Sequence, residues 1–92
     1  DRFNFQKGDT EGVVNYALSI EGISVAAFFV ERDGLVKISF RSKGDFSVNQ
    51  LARDHFNGGG HINAAGGAYG SDINKAIEKF KEILPNYINT NN

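Results

Sequence analysis

The sequence predicts a small single α/β domain in which helices pack on a mixed sheet of about three to five strands. Three observations lead to this fold class. The chain has 92 residues, of which 40% are hydrophobic, and this suits one small domain with its own core. The dipeptide Asp33-Gly34 separates two strand-like runs, which is a strong hairpin signal. Two later segments carry apolar residues at the 3.6-residue spacing of an amphipathic helix.

The two ends of the chain are predicted to lie outside this domain. Residues 1–8 are expected to be an extension from a missing upstream lobe, residues 9–88 to form the domain, and residues 89–92 to be a frayed polar tail. The chain has no Met and does not begin like a signal peptide. We therefore expect a piece of a longer soluble protein of the cytoplasm.

The hairpin is the firmest element of the N-terminal half. Ile23–Glu31 is nearly all apolar and predicts a buried strand, and Leu35–Arg41 alternates apolar with polar residues, as a half-buried strand does. The preceding segment, Gly12–Ile20, is predicted as a short helix. A strand is its alternative, because the segment contains several β-branched residues.

A polar loop at Ser42–Phe46 leads to the first clear helix. Ser47 followed three residues later by Gln50 fits a capping box, which marks a helix start. Its apolar stripe consists of Val48, Leu51, Ala52, His55 and Phe56.

A second helix closes the predicted domain. Gly66–Tyr69 is long enough for a short strand, and Ser71 or Asp72 is expected to cap the helix that follows. Pro85 is expected to help end it. Its apolar face consists of Ile73, Ala76, Ile77, Phe80, Ile83 and Leu84.

Composition restricts the function classes. Ten basic and eleven acidic side chains give a net charge near −1, which argues against a general nucleic-acid binder and requires any anion site to be local. The chain has no cysteine, so disulfide and thiol chemistry are excluded. No apolar run approaches the roughly 18 residues that a membrane-spanning helix needs, and no membrane partner is expected.

The most unusual stretch is FNGGGHINAAGG at residues 56–67. Consecutive glycines permit positive φ and allow backbone N–H groups to converge on an anion, and His61 directly after them can donate to a phosphate oxygen. The spacing is neither a P-loop nor a dinucleotide fingerprint. The stretch therefore indicates either a phosphate site or a flexible connector.

A second candidate feature lies at the end of the hairpin, in FRSKG at residues 40–44. Arg41 at a strand end is well placed to hold a phosphate with two parallel N–H donors, and Ser42 can add a hydroxyl. The alternative is an ordinary solvated strand end.

The remaining residues give no sign of a self-contained catalytic centre. His55 lies on the apolar stripe and is expected to be a packing residue. No metal-ligand spacing such as H-x-H or H-E-x-x-H occurs, and no G-x-S-x-G elbow supports a Ser-His-Asp triad. We therefore expect the chain to be the ligand-binding part of a larger active site.

The motif GGGH with AAG two residues later (Gly58–Gly66), preceded by SFRSKG (Ser39–Gly44), resembles the C-terminal associated domain of the DHH-family phosphoesterases. Asp9–Phe29 is similar to the opening of that domain in the nano-RNase branch, whose members are oligoribonucleases that also act as pAp phosphatases. The resemblance covers about residues 9–84.

The resemblance implies a parent enzyme of two lobes. The N-terminal lobe of the family carries Asp and His ligands for two divalent metals, usually Mn²⁺, and the C-terminal lobe holds the substrate. The family often has a further glycine where this chain has Asn57, a residue type that tolerates positive φ. Carried over to this sequence, the substrate contacts are Arg41, Ser42, Gly58, Gly59, Gly60 and His61.

These implications predict the substrate-binding domain of a metal-dependent phosphoesterase acting on short oligonucleotides or pAp, inactive by itself because the metal lobe is absent. Its expected partners are the substrate and that lobe, and a homodimer is left open. One alternative is a non-catalytic RNA-binding module, like the related domain of alanyl-tRNA synthetases; another is a structural or dimerisation domain. Within the family, hydrolysis of single-stranded DNA, cyclic dinucleotides or polyphosphate also remains open.

Overall fold

The computed structural model of the chain describes residues 3–91, with side chains through residue 89. It contains one six-stranded sheet in the order β1-β2-β3-β4-β6-β5 and two helices. The strands are β1 (Gln6–Thr10), β2 (Val13–Ile20), β3 (Ile23–Arg32), β4 (Leu35–Lys43), β5 (Gly59–His61) and β6 (Ala64–Ala68). The helices are α1 (Val48–His55) and α2 (Ile73–Asn91).

The predicted fold class, a small α/β domain with helices packed on a sheet, is confirmed. Two details were wrong: the sheet has six strands where three to five were expected, and every pairing is antiparallel, so the sheet is not mixed. Strand β1 begins at Gln6, within the residues assigned to an extension.

Three two-residue hairpin turns join the first four strands. In Glu11-Gly12, Glu21-Gly22 and Asp33-Gly34, both residues have positive φ, between 49° and 82°. Positive φ at both central residues characterises the type I′ turn, whose twist matches that of the flanking strands. The first four strands therefore form a continuous meander.

The predicted helix at Gly12–Ile20 is wrong, and its strand alternative is right. Val13–Ile20 pairs with β1 on one side and with β3 on the other. The spacing of the apolar residues in this segment is compatible with both a helix and a strand. The two-residue turns at both ends favour the strand, because each turn reverses the chain so that it pairs antiparallel with its neighbour.

Both helices cover the same face of the sheet. The buried residues of β3 and β4 alternate along each strand and join those of the helices in one hydrophobic cluster. Phe80 of α2 lies at its centre, with its ring 5.8 Å from Phe29 and 6.2 Å from Phe40. The other face, which we call the open face, is left without a covering layer by the residues that the structure describes.

Ser47 is confirmed as the cap of α1, but the reciprocal bond of a capping box is not formed, because the Gln50 side chain donates to Asp54 Oδ1 at 2.9 Å and does not reach back to the cap. The Ser47 side chain accepts a hydrogen bond from the Gln50 N–H at 3.1 Å. At α2 the cap is Asp72 and not Ser71, because Asp72 Oδ1 accepts from the N–H groups of Asn74 at 2.9 Å and Lys75 at 3.4 Å.

Pro85 does not end α2, which continues to Asn91 through part of the predicted tail. Asn92 lies outside the described residues. A proline inside a helix costs about 3 kcal/mol. Ile88 is completely buried, which offsets about 1.5–3 kcal/mol of this cost, and Tyr87 adds an edge contact with Phe46 at 5.8 Å between ring centres. Neither helix is long and apolar enough to cross a membrane.

Removing the side chain that caps α2 should destabilise the domain, whereas removing the neighbouring side chain should not. We expect Asp72→Ala to lower the free energy of unfolding by about 1 kcal/mol, because two N–H groups of the first turn lose their acceptor. The neighbouring change Ser71→Ala is the control and should stay within about 0.5 kcal/mol of the parent chain. Urea denaturation of both variants measures this, and equal losses would contradict the assignment of the cap.

Candidate phosphate-binding site

The structure brings Arg41 and His61 onto one face of the sheet. Arg41 of β4 pairs with Ala64 of β6, and Ala64 pairs with His61 of β5. Directly opposed residues of antiparallel strands share a face, so all three belong to one cross-strand row. Two strand spacings separate Arg41 from His61, about 10 Å between backbones. Both side chains are exposed, and Ala64 between them is small.

The glycine stretch is a strand and not an open loop. Gly59 and Gly60 belong to β5, and among the described residues the glycines with positive φ are Gly12, Gly22, Gly34, Gly44 and Gly70. Glycine is required here because the backbone of this stretch lies against the backbone of β6. A Cβ on Gly58 would overlap the carbonyl oxygen of Gly66, and one on Gly60 would lie 2.6 Å from the carbonyl oxygen of Ala64.

The backbone N–H groups of this stretch already have acceptors within the domain. The Gly58 N–H donates to the Ala52 carbonyl at 3.1 Å, and the Gly60 N–H donates to Asn49 Oδ1 at 2.9 Å. Because N–H groups alternate in direction along an antiparallel strand, those of Gly59 and His61 face β6. The groups that remain directed to solvent at the site are therefore the side chains of Arg41 and His61.

Ser42 clasps the turn between β5 and β6. Its hydroxyl donates to the Phe46 carbonyl at 2.7 Å and accepts from Asn63 Nδ2 at 2.9 Å. Asn63 Nδ2 also donates to the Gly44 carbonyl at 3.1 Å, and the Ser42 N–H donates to the Asn63 carbonyl at 3.0 Å. The clasp joins the turn after His61 to the strand that carries Arg41.

The open face carries charge of one sign. Strand residues on this face follow from the pairing register, and those that are charged are Arg32, Lys37, Arg41 and Lys43. None of the described strand positions on this face holds a carboxylate. Meanwhile Glu11, Glu21 and Asp33 lie in hairpin turns. The chain of net charge −1 thus presents a positive surface around its candidate site.

Comparison with known proteins identifies the family. The model of the DHHA1 domain family matches residues 2–89, nearly the whole chain. The chain belongs to the DHHA1 domain family. The predicted recognition of a DHH-associated domain is therefore confirmed. No solved structure gives a significant match to the chain.

Two relatives of this DHHA1 domain support the predicted nano-RNase branch. Both are called bifunctional oligoribonuclease and PAP phosphatase NrnA. The chain is 37% identical over 77 residues to the Thermus thermophilus protein, which covers 83% of the chain and 22% of that protein. It is 39% identical over 66 residues to the Bacillus subtilis protein, with 72% and 20% covered. The chain thus spans about a fifth of the length of these relatives.

Outside the row, the DHHA1 domain has few groups for metal chemistry. His55 is half-buried on α1 with its ring 6.0 Å from that of Tyr87, which agrees with a packing role. Within residues 3–91, no three His, Asp or Glu side chains come together as metal ligands. The two metals that the resemblance implies belong to the other lobe of the parent protein, and the described side chains of this domain supply no ligand set for them.

Sequence reasoning missed the residues that support the site. Asn49 and Asn63 hold the edge strand and its turn, yet each is an ordinary polar residue in the sequence. Their signals were weak: Asn63 occupies a two-residue turn, and Asn49 follows a helix cap. By contrast, the departure at Asn57 is explained, because its φ of 52° is one that Asn accepts more readily than most residues.

The close approach of β5 and β6 can be tested at two glycines. Gly58→Ala should lower the free energy of unfolding by about 2 kcal/mol, because the added methyl group meets backbone that must shift. Gly66→Ala is the matched control, since its Cβ would make an ordinary contact at 3.7 Å with the Ile38 carbonyl oxygen. Thermal or urea unfolding measures both, and a neutral Gly58→Ala would mean that the two strands are not in this contact.

Proposed function

We propose that the chain is the substrate-binding domain of a metal-dependent phosphoesterase that hydrolyses short oligonucleotides or adenosine 3′,5′-bisphosphate (pAp). The observation that carries the proposal is the cross-strand row, in which Arg41 and His61 share the open face with only Ala64 between them. Similarity to two proteins named oligoribonuclease and PAP phosphatase supports this substrate class.

Arg41 is the main phosphate contact in this proposal. Its guanidinium is always charged and presents donors in a planar fork that matches two phosphate oxygens. In the free domain Arg41 Nη1 donates to the Phe40 carbonyl at 2.9 Å, which leaves further N–H groups of the same fork for a ligand. The small side chain of Ala64 leaves room between the two contacts.

His61 is the second contact, and it orients the phosphate. A neutral imidazole donates one hydrogen bond from a ring nitrogen, and the protonated ring adds a charge. Within the row His61 can approach the phosphate from the side opposite Arg41. Two directional contacts of this kind fix the position of a phosphorus atom for attack, which is the contribution of a binding lobe to catalysis.

In this proposal Ser42 and the glycines do not contact the phosphate directly; they hold the strands that carry Arg41 and His61 in place. The Ser42 hydroxyl is engaged with Phe46 and Asn63, so its effect on a ligand passes through the clasp. Gly58 and Gly60 permit the backbone contact that brings β5 against β6. Gly59 lies between them, where a Cβ would come within 3.2 Å of the Arg53 side chain.

Hydrolysis itself is assigned to a further lobe of the parent protein. Two divalent metals there would supply the hydroxide and stabilise the leaving oxygen. The residues of this domain bind the phosphate and hold it in place. By itself the 92-residue chain is expected to bind substrate without hydrolysing it.

A non-catalytic RNA-binding module is the second candidate, and one observation favours it. The charged strand residues of the open face are all cationic, as a surface for a polyanion requires. The two candidates differ in ligand length. A module should bind a long single strand much more tightly than pAp, whereas the substrate-binding domain should bind pAp and short oligonucleotides comparably.

His61 provides the direct test, with His55 as the matched control. In a ¹⁵N NMR titration of the 92-residue chain with pAp, we expect shifts centred on Arg41 and His61. His61→Ala should weaken binding by about tenfold, because a hydrogen bond to a charged group is lost. His55→Ala lies on the helical face and should leave the affinity within about twofold.

Two results would contradict the proposal. One is a His61→Ala variant that keeps its fold and binds pAp as the parent chain does. The other is the absence of shifts at both row residues at saturating pAp. In a parent protein that carries the metal lobe, the same His61 change should also reduce turnover without unfolding the domain.

A further inference from the structure

A shallow depression lies on the open face directly beside Arg41. Its volume is about 190 Å³, and its lining comes from three adjacent strands, β2, β3 and β4. The floor is formed by Ala17 and Ala26, which pair with each other, and Ala26 pairs in turn with Arg41. The depression therefore continues the row that contains His61, Ala64 and Arg41.

Differences in side-chain size create this depression. Ala17 and Ala26 extend only a methyl group from the sheet, whereas Arg41 and Lys43 on the neighbouring strand carry long cationic side chains that line its edge. Ser19 and Ser24 line another side, with their hydroxyl oxygens 3.2 Å apart. The site combines a small apolar floor with hydroxyl groups and two cations.

The spacing of the two cations indicates what the depression can hold. Arg41 and Lys43 lie two positions apart on β4 and on the same face, which places their backbones about 6.7 Å apart. This is comparable to the length of one nucleotide in an extended strand. The described strand positions of this face hold no carboxylate that would repel a second phosphate, and the nearby Glu21 belongs to the β2–β3 turn, where it lines a neighbouring pocket together with Lys43.

We propose that the depression is a nucleoside subsite whose ligand carries a phosphate on each side of the sugar. The base and sugar lie on Ala17 and Ala26, the phosphate at Arg41 is the one oriented by His61, and Lys43 binds the other phosphate. Ser19 and Ser24 offer hydroxyl groups to the sugar or to the edge of the base. This inference rests on the proposed function and extends it to residues outside the GGGH and strand-end motifs.

Such a subsite gives one physical reason for binding two kinds of substrate. In pAp and at an internal position of a short oligonucleotide, a nucleoside is flanked by two phosphates. A surface that holds this common unit binds both, and it distinguishes them from a nucleoside monophosphate by the contact at Lys43. The size of the depression limits the unit to about one nucleoside.

The test compares ligands with one and two phosphates on the 92-residue chain. Titrations followed by ¹⁵N NMR use pAp, a ribotrinucleotide, AMP and inorganic phosphate. We expect pAp and the trinucleotide to bind about tenfold more tightly than AMP, and to shift Ala26 and Lys43 in addition to Arg41 and His61. Inorganic phosphate should shift Arg41 and His61 alone.

Three variants separate the parts of the subsite. Lys43→Ala should reduce the affinity for pAp about tenfold, to that for AMP, and should change AMP binding less than twofold. Lys37→Ala removes a cation from the same strand and face outside the depression, and it should leave both affinities within twofold. Ala26→Leu fills the floor, so it should weaken pAp and AMP while the phosphate shifts remain.

The outcomes distinguish this inference from the proposed function. If phosphate and pAp shift Arg41 and His61 but Lys43→Ala binds pAp as tightly as the parent chain, or weakens pAp and AMP equally, the subsite is wrong and the proposed function stands. If Ala26→Leu bound pAp as tightly as the parent chain, the nucleoside would not lie on Ala26, and the subsite would again be wrong while the proposed function stands. If no phosphate compound shifts Arg41 or His61, both proposals fail.

Discussion

Backbone-to-backbone contact between the glycine stretch and β6 is the constraint on which the rest of the site depends. Gly58 and Gly60 lie where any Cβ would meet the main chain of the neighbouring strand. Because β6 is also hydrogen-bonded to β4, this contact sets the position of His61 relative to Arg41. The distance between the two side chains is therefore set by a sheet and not by a mobile loop, which suits a site that must orient a phosphate.

The hydrogen bonds of the glycine stretch determine which groups at the site are available to an anion. A nest of free N–H groups would bind an anion through the backbone, but here Gly58 and Gly60 donate to groups of α1. In the proposed site, specificity would therefore depend on side chains, a guanidinium and an imidazole at a spacing set by the sheet. The hydrogen bond between Asn63 and Ser42 also fixes the turn after His61 to the end of β4. The four hydrogen bonds of the clasp join the end of β4 and the loop after it to the turn between β5 and β6.

Much of the fold could be predicted from periodicity, and the failures have identifiable causes. The hairpin at Asp33-Gly34 and the helix cap at Ser47 are local signals, and both are correct. Gly12–Ile20 fits helix and strand alike, and its turns use Glu, which is not typical of positive φ. The glycine strand could not be foreseen because glycine is depleted in strands; only contact with distant residues explains it. The motifs predicted Arg41 and His61 as phosphate contacts, which stays a prediction, and the row that the two residues share follows from the register alone.

The net charge of the chain does not describe the charge of the surface around the candidate site. A net charge of −1 averages over all faces of the molecule, whereas a strand directs alternate residues to opposite sides of the sheet. Lys37 and Arg41 lie on the open face, while acidic residues such as Glu11 and Glu21 occupy the turns at its ends. A ligand approaching the row meets a local positive potential, and long-range attraction for any polyanion is weakened by the acidic turns. For the proposed site, this distribution favours a short phosphorylated ligand beside Arg41 over a long nucleic acid. A long nucleic acid held by charge alone gains affinity from each phosphate that it neutralises, and the acidic turns limit that number.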